Sequence, residues 1–168
     1  MATDKLEARK ASGGRCSCTA LRKATRRISQ LYDAALASSG LKTTQRAILA
    51  QIGRSEPTTV GSLAEALVMD AGALAHTLKP LQRDGLVSIQ VDPNDRRNRL
   101  INLTADGRIK LVETDDAWAR AQAGFEAALG QTESDQLRAA LQFLISDEFI
   151  AAFEKQSSRP ANPEGNSL

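Results

Sequence analysis

Three consecutive stretches decide the fold: Val60-Gly-Ser-Leu-Ala-Glu-Ala-Leu67, Asp70-Ala-Gly-Ala-Leu-Ala-His-Thr-Leu-Lys-Pro-Leu81 and Arg83-Asp-Gly-Leu-Val87. Val60, Leu63, Ala64 and Leu67 recur at the spacing of one buried helix face. Asp70 is placed to cap a second helix, because its carboxylate can accept the unpaired first-turn amides. Leu74, Leu78 and Leu81 form that helix's inner stripe, while Gly72, His76, Lys79 and Arg83 fall on the other side, flanked by Ala73 and Ala75. Gly85 is the expected left-handed terminator. Pro80 deletes a donor and crowds the His76 carbonyl, so a kink or a tightened last turn is expected. Two short helices joined by a tight turn suit an element that enters a DNA major groove.

Outward from this unit, Val87, Ile89 and Val91 alternate as a strand, and Arg99, Ile101 and Leu103 as its return partner. Asp92-Pro-Asn-Asp95 supplies the turn chemistry between them, leaving Arg96, Arg97 and Asn98 at a polar tip. Upstream, a helix is expected from about Thr19 to Ala37, with Leu21, Ile28, Leu31, Tyr32, Ala35 and Leu36 on one stripe and Ser38-Ser39-Gly40 as its end. A further helix, capped by Thr43 or Thr44, runs through Ala47, Ile48 and Ile52 and stops near Gly53; Glu56-Pro57-Thr58-Thr59 reads as a loop. Downstream, Thr104 closes the second strand and caps one long helix to about Leu129, along which Leu111, Trp118 and Phe125 are spaced by seven. Thr132 and Asp135 suggest a capping box for one last helix lined by Leu137, Leu141, Leu144, Ile145, Phe149 and Phe153.

These elements make a mainly α chain with one domain over residues 16–156, between a disordered arm (1–15) and a disordered tail (157–168). The groove-reading lobe covers about 42–104. The helices over about 16–38 and 105–156 lack partners in so small a globule, which points to a helical homodimer interface. Aromatic residues are only 4% of the 168, which favours helices over a sheet sandwich. No apolar run approaches the roughly 20 residues of a membrane span, and Met1–Lys10 has no apolar signal core, so a cytoplasmic protein without membrane contact is expected. The net charge of +2 hides an asymmetry: residues 1–110 carry 18 Lys/Arg against 10 Asp/Glu, whereas residues 111–155 carry three against nine. One end can attract phosphates, although charged helices that merely solvate their outer faces would look the same.

The chain resembles the MarR family of winged helix-turn-helix regulators over about Thr19 to Lys155. The resemblance is carried by Leu41-Lys-Thr-Thr-Gln45, the two helices of the motif, the Arg83–Val87 exit, the wing Asp92-Pro-Asn-Asp-Arg-Arg97 and Leu103-Thr-Ala-Asp-Gly107. It implies a homodimer on pseudo-palindromic double-stranded DNA, usually a repressor released by a small phenolic or aromatic ligand or by oxidation. It also places a wing arginine in the minor groove, so Arg96, Arg97 and Arg99 become DNA contacts, with Asp95 bracing a guanidinium. In the recognition helix Gly72, Ala73, Ala75, His76, Thr77 and Lys79 are the candidate contacts. Ala71, Gly72 and Ala73 stand where many members carry Ser or Thr, and His76 where many carry Arg. Base reading therefore shifts toward His76, Thr77, Lys79, the wing and DNA shape.

For an effector, the resemblance implies a pocket in which Tyr32 and Trp118 offer aromatic walls and Arg22 or Arg26 meets an anionic head group; ordinary core packing of the two aromatics is the competing reading. Cys16 and Cys18, the only cysteines, are either small residues at a helix entry or redox sensors. Arg15, Arg22 and a helix N-terminus would favour thiolate, and the ring closed by a bridge between them is so small that an intersubunit disulfide is the expected product. A single histidine, no clustered ligands and no phosphate loop leave no metal site, no cofactor and no catalytic constellation; Asp115 and Asp116 splay apart on their helix. A protein-interaction module built on the same fold stays open as a third reading.

Overall fold

Leu63, Leu74 and Leu81 are fully buried and Leu78 nearly so, which means the two helical stripes share one core. A computed structural model describes residues 16–158. Its elements are α1 (Ser17–Ala35), a short 3-10 turn (Ala37–Ser39), α2 (Thr43–Ser55), β1 (Thr58–Thr59), α3 (Val60–Ala66), α4 (Ala71–Arg83), β2 (Val87–Val91), β3 (Arg99–Leu103), α5 (Ala105–Glu113), α6 (Asp115–Leu129), α7 (Gln131–Leu144) and α8 (Asp147–Ser157). The arm expected over 1–15 and the tail beyond residue 158 lie outside the described residues; Ser157, expected in the tail, closes α8. The chain divides into two compact units, one ending at Ala121 and the other starting at Gln122.

In the first unit a winged helix-turn-helix is built around Ile48, Leu49 and Ile52 of α2, the leucines of α3 and α4, and Val87, Ile101 and Leu103 of the sheet. The strands are antiparallel in the order β1-β3-β2, with Val87 opposite Leu103, Ile89 opposite Ile101 and Val91 opposite Arg99. β1 corrects the expected loop: Thr58 pairs with Ile101 and Thr59 with Leu100. Two residues are too few to show a strand's alternation, so only the pairing reveals it.

Local chemistry sets the helix ends. The Thr59 hydroxyl accepts the Ser62 amide (3.1 Å) at the start of α3, and Asp70 accepts the Ala73 amide (3.0 Å) at the start of α4. α4 continues through Pro80 to Arg83, and Gly85, at φ 74°, turns the chain so that the Leu86 amide reaches the Leu81 carbonyl (2.9 Å). At the start of α2 neither Thr43 nor Thr44 is the cap; Lys42 holds that position. Asp33 of α1 instead accepts both the Thr43 amide (2.7 Å) and hydroxyl (2.8 Å), joining the two helices. These bonds, the amide first, hold the Asp33 carboxyl below its ordinary pKa.

The long helix expected from Ala105 to Leu129 is broken at Thr114, which is fully buried and caps α5. Its hydroxyl donates to the Leu111 carbonyl (2.7 Å) and accepts Nε of Arg46 (3.0 Å), so Leu111 lies on a different helix from Trp118 and Phe125. Thr104 does cap α5, accepting the Gly107 amide (2.9 Å) while donating to the Gly85 carbonyl (2.6 Å). Gly107 itself is required by contact, because a Cβ there would fall on the Leu86 carbonyl.

The second unit holds the end of α6 with α7 and α8. The single last helix is corrected to two: the backbone breaks at Ile145, and Ser146 caps α8 by accepting the Phe149 amide (3.2 Å). Gly130, not Thr132, is the capping residue of α7. Phe143 meets Phe149 edge-on (5.5 Å between centroids), and Phe149 stacks on Phe153 (6.1 Å). Arg138 pairs with Glu126 (2.9 Å) and Asp135 (2.6 Å). Leu137, Leu141, Phe143, Ile145, Ile150 and Phe153 remain exposed. Among the described residues no helix is long and apolar enough to cross a membrane.

Between α3 and α4, Val68 has φ 50°, a left-handed conformation that a β-branched residue adopts only under strain, and its side chain is largely exposed. Val68→Gly should therefore raise stability by about 0.5–1 kcal/mol in urea unfolding, since the relief outweighs glycine's entropy cost. Gly107→Ala should lower it by more than this, the backbone at Leu86 being unable to yield cheaply.

Candidate nucleic-acid interface

With Leu74, Leu78 and Leu81 turned inward, α4 presents Gly72, Ala73, His76 and Lys79 to solvent, with Ala75 and Thr77 half-buried at the margins. The Thr77 hydroxyl donates to the Ala73 carbonyl (3.0 Å) inside the helix, so toward an outside partner it can only accept. Ahead of Arg83 in the last turn, His76 and Lys79 are then the donors on a face otherwise made of small groups. Such a face can approach a base edge closely and meet a thymine methyl, but reads few hydrogen bonds directly.

The loop between β2 and β3 is organised by carboxylates. Asp92 accepts the Asn94 amide (2.8 Å), and the Asp92 amide donates across the loop to the Asn98 carbonyl (3.2 Å). Asp95 accepts the Arg97 amide (3.0 Å), Nε of Arg97 (3.2 Å) and Nδ2 of Asn98 (3.3 Å). The Arg97 guanidinium, and then its amide, hold the Asp95 carboxyl below its usual range. The three arginines are thereby sorted. Arg97 is 91% exposed yet oriented by Asp95. Arg99 folds back and donates to the carbonyls of Arg96 (3.0 Å) and Asn98 (3.2 Å), stiffening the loop. The Arg96 side chain is exposed, with no hydrogen bond or ion pair among the described residues.

Glu56 fixes this hairpin to the lobe: it accepts the Leu103 amide (2.8 Å) and pairs with Arg108. Burial works to raise the Glu56 pKa, but the Leu103 amide and the Arg108 guanidinium outweigh it and the net shift is downward.

Of the residues expected to line a ligand pocket, Tyr32 and Trp118 do meet, edge-on at 4.9 Å between centroids. Arg22 and Arg26 are exposed on α1, more than one turn before Tyr32. The cation beside the aromatic pair is instead Arg46, 4.3 Å from the Trp118 ring centroid and bonded to Asp115 (2.6 Å). Sequence reading missed Arg46 because an arginine in a short helix looks solvated, and its partners lie 68 and 69 residues away. Cys16 and Cys18 are both exposed. Cys16 is the N-cap position of α1, where its sulfur accepts the Thr19 hydroxyl (3.3 Å); that bond foremost lowers its pKa.

The sequence profile of the MarR family matches residues 39–98, from the turn before α2 through the wing. The crystal structure of the M. tuberculosis transcriptional regulator MosR in complex with DNA is 35% identical and superposes with a TM-score of 0.71, covering 77% of this chain and 93% of that one. The transcriptional activatory protein BadR of Rhodopseudomonas palustris is 35% identical over 77 residues, 44% of either chain. The organic hydroperoxide resistance transcriptional regulator of Bacillus subtilis is 29% identical over 92 residues, 55% of this chain and 63% of that one. The match thus spans less than two thirds of the length of these two curated relatives.

The Asp95 clasp has a direct pH signature. A depressed carboxyl pKa keeps the clasp intact at and above the ordinary range near ~3.9 and releases it only as pH falls through the lower native value. In a carboxyl NMR titration Asp95 should titrate below the ordinary aspartate range in the native protein and move upward in Arg97→Ala. A native midpoint at or above the ordinary value would contradict the geometry.

Proposed function

This chain belongs to the MarR family of transcriptional regulators, and on that premise we propose that it is a homodimeric repressor of a pseudo-palindromic operator. α4 enters the major groove, where His76, Thr77 and Lys79 face the bases, and the wing lies along the neighbouring minor groove. The observation that carries this reading is the Asp95–Arg97 clasp, which holds an otherwise solvent-exposed guanidinium in one orientation at the tip of a stiffened hairpin. An arginine ordered before it meets DNA loses less entropy on entering a narrow groove. Arg96, whose side chain is not engaged by its own loop, contacts phosphate. Dimerisation is supported by the row of exposed leucine, isoleucine and phenylalanine side chains on α7 and α8, an apolar surface that a monomer would leave to water.

For the release of DNA, one observation favours oxidation over a phenolic ligand. The Thr19 hydroxyl supports a thiolate at the exposed Cys16 sulfur, at the positive end of α1. A hydroperoxide would convert that thiolate to a sulfenic acid, itself reduced to the alcohol, and a second thiol would then displace water to form a disulfide. The thiol comes from Cys18 or from the second copy. The similarity to a hydroperoxide-resistance regulator agrees with this chemistry. An aromatic effector between Tyr32 and Trp118 would have to separate a pair of rings already packed together, with Arg46 against one of them.

Against the region upstream of the protein's own gene, Arg97→Ala should weaken binding roughly 5- to 100-fold in fluorescence anisotropy and reduce the salt slope by about 1. Unchanged affinity and slope would remove Arg97 from the interface. No binding by the unaltered chain would favour the protein-interaction reading. Mild peroxide should release the operator and leave a disulfide-linked species on a non-reducing gel, or an internal bridge by mass spectrometry, neither seen in Cys16→Ser. Release that survives Cys16→Ser would retire the redox switch.

A further inference from the structure

Arg9-Lys-Ala-Ser12, Arg22-Lys-Ala-Thr25 and Arg26-Arg-Ile-Ser29 each place two basic residues three and two positions before a hydroxyl, a pattern found nowhere else in the chain. One class of protein kinase selects its substrates by such a charge pattern, the cations filling acidic subsites beside the cleft. Ser12 lies outside the described residues, whereas Thr25 and Ser29 are both on α1.

The fold separates these two. A kinase takes its acceptor on an extended stretch of chain, so an acceptor in a helix has to be released by local opening. Every residue from Cys16 to Arg27 is exposed, and α1 has no buried residue before Tyr32. Residues 17–27 also fall short of the about 12–15 residues at which an isolated helix begins to hold in water. Opening around Ser29 instead reaches Tyr32, which is buried, and Asp33, which accepts the Thr43 amide (2.7 Å) and hydroxyl (2.8 Å). Thr25 is therefore the easier of the two to present. Its hydroxyl has no hydrogen-bond partner among the described residues, whereas Thr19 donates to Cys16 and Thr77 to the Ala73 carbonyl. Arg22, Lys23, Arg26 and Arg27 are all exposed, and among the described residues no carboxylate pairs with any of them.

We propose that Thr25 is a phosphorylation site for an arginine-directed serine/threonine kinase. Oγ1 of Thr25 attacks the γ-phosphorus of a magnesium-bound nucleoside triphosphate. The bond to the bridging oxygen breaks, the nucleoside diphosphate leaves, and the hydroxyl proton passes to the kinase's catalytic carboxylate. Arg22 and Lys23 direct the choice of hydroxyl by occupying the acidic subsites. Once attached, the phosphate stands one helical turn from Arg22 and next to Arg26, and its charge of about −1.5 to −2 offsets much of the local positive charge. Thr25 also shares a line along α1 with Leu21, Ile28 and Tyr32, so the modification sets a strongly hydrated group into an apolar stripe. Phosphate transfer is read on the protein alone and requires nothing of its binding to DNA.

The test is to incubate the full chain with magnesium, ATP and the catalytic subunit of the cyclic-AMP-dependent kinase, which selects arginine at these positions, and to map the phosphate by fragmentation mass spectrometry. A synthetic peptide of residues 19–31 serves as the unfolded reference. Thr25 should carry most of the phosphate on the native chain, Thr25→Ala should lose it, and Thr25→Ser should restore transfer at the same position. Arg22→Gln combined with Lys23→Gln should slow transfer about tenfold, as expected for lost charge-assisted bonds to the kinase. These positions are exposed, and circular dichroism checks that each variant keeps its helices. Phosphate on Ser12 or Ser29 with Thr25 bare, a rate indifferent to the Arg22 and Lys23 substitutions, or a peptide that is modified while the native chain is not overturns the proposal.

Discussion

Burial of a single leucine face on α4 is the constraint from which the rest of the lobe follows. Leu74, Leu78 and Leu81 are sealed against α2, α3 and the sheet, each burial stabilising by roughly 1.5–3 kcal/mol. Anchoring this side of the helix forces Gly72, His76 and Lys79 outward on the other. Rotating α4 to offer different residues would bring Lys79 or Arg83 into the core, where an unpaired charge costs far more than any new packing could return. The face available to a partner is therefore set by the face that avoids water.

Polar anchors then hold the surrounding elements at that core. Asp33 joins α1 to α2, Glu56 joins the loop before β1 to β3 and α5, and Thr104 joins the exit of α4 to the start of α5. Arg46 is the deepest of them, paired with Asp115, bonded to Thr114 and lying against Trp118. Each anchor satisfies backbone or charged groups that would otherwise be stranded at a helix or strand end. The wing repeats the same logic in the open. Asp95 and the backbone bonds of Arg99 take the place of a core, leaving Arg97 oriented and the Arg96 side chain unengaged.

This division of labour separates rigidity from reach. The lobe presents a stiff platform whose direct reading is sparse, since Thr77 turns its proton inward and the first turn of α4 is made of small residues. In the proposed DNA complex this places binding energy on charge and fit to DNA shape more than on a base code. Away from the groove, Cys16 at the head of α1 and a cleft beside α5 lined by Arg46, Arg54 and Arg108 belong to the same unit. An exposed thiol and an arginine-lined cleft are thus carried by one scaffold, neither of them drawing on the residues of the wing tip.

Legibility in the sequence followed the range of the forces. The helical stripes of α3 and α4, the caps at Asp70 and Thr104, the turn at Gly85 and the alternation of β2 and β3 are local, and the residues declare them within a few positions. So is the Asp95–Arg97 clasp, only two residues apart. What the sequence by itself did not reveal was decided across long separations. The break at Thr114 depends on Arg46, the strand β1 on Ile101, the tie at the start of α2 on Asp33, and the cleft on Arg54 and Leu111 being brought from separate helices to line it. Propensity and periodicity are properties of neighbours along the chain. Pairing a buried guanidinium or closing a cleft is a property of neighbours in space, and only packing chooses those.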